Sequence, residues 1–453
     1  MLLFAHAIVG RADLPIPVIW CAIASAVVLV VSFLALAAGW SEPKLETVRQ
    51  RRLFGIPLTA EVLLGAVGVF VFAVVVYAGL AGVDSQSDNL APKAVYVGFW
   101  VGVPCASLLF GDIFRLFSPW RAIGRATGWV ARKVAPGDAL PEPLPYPERL
   151  GHWPAAAGFF AFIICELCWA AAKDPQPLAI LMLVYLAIQL VGMSLYGVEP
   201  WTRRADTFGV WFGMLASLAV FARGDDGRVV LRPPGVGATR AHITNGTTAL
   251  LVIAIGSTAF DGAREGAIFN TPIGDLQETF AGWGTSLGFA LELAMIVFLV
   301  VSIAAVSAIW AIVVLGMPRR SLRLSHLELS RRFVHTLIPI AAAYLVAHYF
   351  SSLAYEGQAV WALMSDPLGH GSDIFGAASN GIDYSIVSAT QIWYIQVVAL
   401  VIGHCTGLVL AHDRALQIYG SPRAAIASQI VMLVVMVMFT ALGIWLLSEA
   451  LNQ

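Results

Sequence analysis

The stretches 341–355, AAAYLVAHYFSSLAY, and 397–416, VVALVIGHCTGLVLAHDRAL, place His348 and His404 inside apolar runs long enough to cross a bilayer. An ionisable side chain at the bilayer centre costs about 2.5 to 3.5 kcal/mol even on the lenient insertion scale, so it normally faces a protein interior or a wet cavity. Working outward from these runs, the composition says the same thing. Of 453 residues 59% are hydrophobic and only 12% are charged, which leaves too little polar surface for a water-soluble domain.

Apolar runs near the roughly 20 residues that a bilayer demands occur ten times: 18–38, 62–80, 94–114, 154–172, 178–196, 244–260, 286–315, 334–354, 391–411 and 426–447. The expected fold is therefore all-α, a polytopic helix bundle without a separate soluble domain. An eleventh run, Val210 to Ala222, is too short to span and reads as a re-entrant or interfacial helix. Of the 27 lysines and arginines, all but Arg11, Lys93, Lys173 and Arg264 fall in the loops after spans one, three, five, seven and nine. By the positive-inside rule this puts those loops in the cytoplasm and both termini outside, with the plasma membrane as the expected location.

The net charge of −1 hides that segregation and gives no reason to expect a nucleic-acid partner; the basic loops need only anionic headgroups. Cys21, Cys105, Cys165, Cys168 and Cys405 all lie in expected spans, where a disulfide framework has no role. The N-terminal MLLFAHAIVG lacks a basic leader region and a clear cleavage site, so it is expected to lie against the outer face rather than to act as a signal peptide. Two loops are long enough to cap a cavity on the outer side, Asp261 to Thr285 and Glu356 to Thr390. On the inner side GRVVLRPPGVG (227–237) suggests a small hairpin. Ten spans divide into two sets of five with opposite topology, as an inverted repeat would, although no internal sequence match accompanies the arithmetic.

Depth along each span follows from 1.5 Å per helical residue. Counted from the basic end, Glu166 lies at about 18 Å and Glu292 and His348 at about 21 Å. Two carboxylates and an imidazole at one level can hold a divalent metal or move a proton; equally, each can be paired within its own packing surface. Asp261 lies further out, at the mouth of its span. Tyr344, His348, Ser351 or Ser352, and Tyr355 share a helix face whose polarity Glu356 and Gln358 continue, which suggests a lined cavity. The same residue types also serve as interhelical glue. His404 comes out only about 10 Å from the inner edge, so it and His348 do not share one ion or a haem unless a helix breaks. Flanked by Gly403 and Gly407, it reads as a packing histidine hydrogen-bonded across a close helix contact, with His412, Asp413 and Arg414 anchoring the helix end. Cys165 and Cys168 form a C-x-x-C around Glu166, more plausibly filler than soft-metal ligands. Walker A, G-x-S-x-G, H-E-x-x-H and dinucleotide fingerprints are absent from the sequence, so no nucleotide cofactor is expected.

Several stretches taken together, AHAIVGRADLPIP (5–17), FGDIFRLFSPWRAIGRA (110–126), PYPERLGHWPA (145–155), YGVEPWTRRADTFGVWF (196–212), STAFDG (257–262), VAHYFSSLAYEGQ (346–358) and GHCTGLVLAHDRAL (403–416), resemble a family of polytopic bacterial membrane proteins commonly labelled fenitrothion hydrolase. The resemblance implies hydrolysis of a lipophilic organophosphate triester. Under it, Glu166, Glu292 and His348 would hold a metal that activates water, with Asp261 or Glu356 as base. The rival expectation is a secondary transporter or ion pathway using the same buried groups, and a third is a membrane subunit or assembly factor. The expected partners are the lipid bilayer and either a hydrophobic small molecule or an ion.

Overall fold

The computed structural model describes residues 16–134, 142–224, 226–264, 266–319 and 322–450. The N-terminal stretch through Arg11 and part of the Pro-rich loop lie outside them. The described chain is a helix bundle with one small sheet. Its longer elements in chain order are α1 (Val18–Gly39), β1 (Arg51–Gly55), α2 (Leu58–Ala81), α3 (Leu90–Phe110), α4 (Pro119–Val134), α5 (Trp153–Cys168), α6 (Pro175–Tyr196), α7 (Val198–Arg204), α8 (Thr207–Ala216), β2 (Phe221–Arg223) and β3 (Arg228–Leu231). They continue with α9 (Thr247–Arg264), α10 (Ala267–Gly282), α11 (Leu287–Leu315), α12 (His326–Ser365), α13 (Ala389–Tyr419) and α14 (Pro422–Ala450).

Eight helices among the described residues are long and apolar enough to cross a membrane: α1, α2, α3, α6, α11, α12, α13 and α14. Every one of the ten expected spans coincides with a helix, but two fall short of that standard. The run 154–172 is a helix that breaks after Cys168, and the run 244–260 is the 18-residue α9, whose end carries Asp261 and Arg264. Large apolar side chains on α1, α2 and α6, such as Trp20, Val31, Leu63, Phe70 and Val184, point away from the protein. In water such continuous patches would drive association; against lipid they are the expected outer surface.

Of these eight helices α12 is the most enclosed, with 67% of its apolar window buried against 22% for α1. It packs on α13, α9 and α3, while α13 is backed by α14 and α1. Capping boxes start α12 (Ser325 with Glu328) and α13 (Ser388 with Gln391), and left-handed Gly420 ends α13, each satisfying backbone groups that a helix terminus leaves open. The α12/α13 seam depends on a glycine. A Cβ on Gly403 would collide with the Ala343 side chain and sit 2.6 Å from the Pro339 carbonyl oxygen, and one on Gly407 would sit 3.1 Å from the Thr336 oxygen. The expected close contact is therefore present. His404, however, does not bond across it: its Nδ1 donates to the Leu400 carbonyl of its own helix at 2.8 Å.

The end of α13 anchors the loop after α1, as expected of His412 to Arg414. Asp413 Oδ1 accepts from the backbone of Lys44 (2.6 Å) and Leu45 (3.1 Å), His412 Nε2 lies 2.9 Å from the Trp40 oxygen, and Arg414 Nη1 pairs with Glu46 at 3.0 Å. On this same basic face the three-stranded antiparallel sheet runs in the order β1-β3-β2. The VVL segment is indeed a strand, but it pairs with Phe221–Arg223 upstream and with β1, rather than folding back on PPGVG.

The short apolar run is accordingly not one helix over 210–222. Helix α8 begins at Thr207 and stops at Ala216, where the Arg232 guanidinium donates to the carbonyls of Ala216, Ser217 and Ala219. A cation there complements the open carbonyls and the negative end of the helix. The outer loop expected over Asp261 to Thr285 is also different, since α9 continues to Arg264 and α10 packs on α11. Between α3, α5 and α8 the core is aromatic, with Phe99, Trp100, Phe159, Phe208 and Phe212 meeting mostly edge to face or tilted, the geometry that ring quadrupoles favour.

Two outcomes test this packing. Gly403→Val should drive α12 and α13 apart and destabilise the protein by about 1 to 3 kcal/mol or more, as overpacking does; a thermal midpoint in detergent equal to wild type would contradict the seam. His152, in the turn ahead of α5, is buried with Nδ1 2.8 Å from Thr247 Oγ1. Burial first, then the charges of His242 and Arg204, push its imidazole down from 6.5 to about 4. Between those values the unfolded chain binds the extra proton, so this contribution is complete above pH 6.5 and is lost as pH falls toward 4. His152→Asn should therefore show a shallower loss of midpoint from pH 7.5 to pH 4.5 than wild type. Parallel slopes would remove His152 from the account.

Candidate functional site

One region of the bundle gathers Glu166 from α5, Asp261 and Arg264 from α9, and His348 and Tyr349 from α12. Each backbone is arranged differently. Helix α5 widens into a π turn over Ile164–Cys168 and then stops at extended Trp169, whose N–H donates back to the Ile164 oxygen at 2.9 Å. Such turns re-aim side chains and recur at functional positions. Here the widened turn carries Glu166. Helix α9 stays regular, so Asp261 and Arg264, three residues apart, come to one face. On α12 the adjacent His348 and Tyr349 reach the same carboxylate from two directions.

Asp261 is the hub. Its Oδ2 lies 2.7 Å from His348 Nε2 and accepts from the Tyr349 hydroxyl at 3.0 Å, while Oδ1 pairs with Arg264 Nη2 at 2.8 Å. The same Tyr349 hydroxyl is 3.3 Å from Glu166 Oε1. A phenol has one proton, so Tyr349 donates to one carboxylate at a time. Arg264 Nη1 also donates to the Leu167 oxygen at 3.0 Å, tying α9 to the π turn. Glu166 Oε2 is buried with no hydrogen-bond partner among the described residues. Asp261, His348 and Tyr349 are all less than a tenth exposed, a degree of burial at which unpaired charge would be heavily penalised.

The structure brings together three of the residues singled out from the sequence, Glu166, Asp261 and His348, and separates the others. Glu292 has a different partner: its Oε1 accepts the Ala170 N–H at 3.1 Å, capping the chain just past the break in α5. It is not a member of a Glu166–Glu292–His348 set. Glu356 forms an ion pair with Lys93 on α3 and makes no described contact with the cluster. Two turns of helix separate it from His348, so Asp261 alone of the two proposed bases is at the centre.

The polar stripe also divides. Tyr344 and His348 line a void of about 10 Å³ between α9, α12, α13 and α14, together with Thr258, Gly262, Leu400 and Gly443. That is room for about one water. Tyr344 donates to the Phe439 oxygen at 2.9 Å, and Tyr355 to the Val387 oxygen at 2.8 Å. Ser351 is buried and Ser352 half-buried, and neither lines that void.

A divalent metal would need three donors free to converge on one point. No group of three His, Cys, Asp or Glu side chains among the described residues is arranged to hold an ion. The His348 nitrogen is engaged with Asp261, Asp261 is further committed to Tyr349 and Arg264, and Tyr349 stands between the two carboxylates. The set faces inward on itself and does not present three donors to one ion. Cys165 and Cys168 are free thiols.

Tyr349 was not singled out from the sequence, and Arg264 was noticed only as one of four basic residues outside the basic loops. The signal was available in both cases: a hydroxyl beside an intramembrane histidine, and a guanidinium one helical turn from an intramembrane aspartate. Comparison with protein-family models, with curated proteins and with solved structures gives no match.

The hub assignment predicts unequal costs. Asp261→Ala strands a buried guanidinium and imidazole and should destabilise by about 3 to 5 kcal/mol. Glu356→Ala breaks only the partly exposed pair with Lys93 and should cost about 1 kcal/mol. Denaturant midpoints in detergent micelles measure both, and equal costs would sink the distinction.

Proposed function

We propose that the chain is a multi-pass membrane protein in which Glu166, Tyr349, Asp261 and His348 form a proton relay serving a secondary transporter or ion pathway. The observation that carries this reading is the unbroken sequence of contacts, 3.3, 3.0 and 2.7 Å, from Glu166 to His348. Each member can both give and take a proton in one of its states, and the shared Tyr349 hydroxyl can alternate between the carboxylates. Buried carboxylate and histidine chains of this kind are the working parts of proton-coupled membrane proteins. The break in α5 at Glu166 supports the same reading, since interrupted helices frame the binding centres of many transporters. With the basic loops placed in the cytoplasm of a plasma-membrane protein, the relay lies in the outer half of the bilayer.

Hydrolysis of a lipophilic organophosphate ester, implied by the family resemblance, is the second reading. The Asp261–His348 pair at 2.7 Å favours it, because a carboxylate orienting an imidazole is how a general base is built. Water in the adjacent void would be the nucleophile. A void of about 10 Å³ leaves no room for the ester itself in this conformation, which is why the relay is preferred.

Reconstitution separates the two. Proteoliposomes with an internal pH dye should show proton movement under an imposed potential or gradient, reduced at least tenfold by Glu166→Gln and by Tyr349→Phe. Cleavage of a chromogenic phosphotriester that His348→Gln abolishes, without any proton movement, would overturn the relay and establish the second reading.

A further inference from the structure

At the opposite end of the bundle from the relay, beside the sheet, lies a cavity of about 400 Å³, within the usual range for small-molecule sites. Its wall carries Arg115, Arg121, Arg203 and Arg204, with His152 and His242. The acidic groups on the wall are Asp112 and Asp206. Asp206 is already engaged, accepting from Trp120 Nε1 and from the Tyr185 hydroxyl, each at 2.7 Å. Asp112 is half-buried, and burial pushes its carboxyl up, toward the neutral form, against the opposing pull of Arg115.

Just outside the wall, Glu199 is shared three ways. Its Oε2 takes Arg115 Nη2 at 2.6 Å, Oε1 takes Arg121 Nη2 at 2.8 Å, and Arg203 Nε reaches Oε2 only at 4.0 Å. Burial works against this carboxyl's charge, but Arg121 and Arg115 outweigh it and hold Glu199 below the usual carboxylate range. Arg204 pairs at 2.7 Å with Glu148, whose side chain is 79% exposed, a kind of pair that contributes little.

The guanidinium donors are far from saturated. Arg121 Nη1 also donates to the Arg115 carbonyl at 3.0 Å, so the bonds given for Arg115 and Arg121 use three donors where two guanidinium groups offer about ten. The Nε atoms of both are buried with no hydrogen-bond partner among the described residues. Glu199 and the Arg115 carbonyl thus fix the orientation of two planar forks while leaving much of their capacity unused. Planar forks held in place match the oxygens of a phosphate group better than a single point charge does.

We propose that this cavity binds a phosphate-bearing anion, either the headgroup of an anionic phospholipid or a free phosphate compound. The proposal is independent of the relay, which shares no residue with it. Arg203 is the side chain to change, because it is 63% exposed and its pair with Glu199, at 4.0 Å, is the longest of the three that carboxylate makes, whereas Arg121 is tied into the fold.

The protein is placed in nanodiscs of phosphatidylcholine and titrated with pyrophosphate at constant ionic strength, with thermal unfolding as the readout. In a second arm the nanodiscs contain phosphatidylglycerol and no phosphate is added. Saturable stabilisation by pyrophosphate, weakened at least tenfold in Arg203→Glu and largely kept in Arg203→Lys, supports the site with a free anion as occupant. Stabilisation by phosphatidylglycerol alone, lost in Arg203→Glu, supports it with a lipid headgroup as occupant. Neither probe exceeding the matched chloride control, or an Arg203→Glu protein that responds as wild type, would overturn the proposal.

Discussion

A carboxylate held deep among apolar helices must be compensated locally, and Asp261 is compensated from three directions at once by Arg264, His348 and Tyr349. Removing a single charge from water costs several kcal/mol even after relaxation, so the surrounding helices are constrained to deliver those partners together. Helix α9 brings the guanidinium on its own face, and α12 brings the imidazole and the phenol as neighbours in sequence. That α12 is the most enclosed of the long apolar helices follows from the same constraint, since it carries two of the three partners.

The second constraint is on backbone rather than charge. Inside a bilayer every exposed N–H and carbonyl must find a partner within the protein, yet α5 gives up its regular ladder at Glu166. Side chains supply what the ladder loses: Glu292 accepts the Ala170 N–H and Arg264 donates to the Leu167 carbonyl. Two residues that look like parts of a charged site are therefore partly occupied in keeping an interrupted helix satisfied. The interruption in turn is what lets Glu166 reach Tyr349.

The bundle was legible in the sequence because length and apolarity are properties of a run of residues, readable without knowing neighbours. Each of the ten runs coincides with a helix, and the anchoring of α13 through His412, Asp413 and Arg414 could be anticipated from their position at its C-terminal, basic end. The site was half legible. Depth follows from counting along an axis, and it sets Glu166, Glu292 and His348 at one expected level. It carries no information about which face of the bundle each meets, and on that point Glu292 and Asp261 exchange places. The strand pairing of Val230 and Leu231 with Arg52 and Arg51 of β1 was invisible for a different reason: its partner lies about 180 residues away, and nothing in either segment marks the other.

The four residues of the proposed relay are held with unequal firmness. His348 and Tyr349 ride on α12, locked to α13 where Gly403 admits no side chain at all. Asp261 sits on a continuous helix and is clamped at both oxygens. Glu166 alone stands on a turn whose hydrogen bonds are completed by side chains from other helices, and side-chain caps are easier to exchange than a helical ladder. If the centre changes state during function, the change with the smallest structural cost is a shift of the π turn. That would bring Glu166 toward or away from Tyr349 while the Asp261–His348 pair stays fixed. The weakest link by distance, 3.3 Å between Tyr349 and Glu166, is also the one whose backbone is least tied by its own helical ladder.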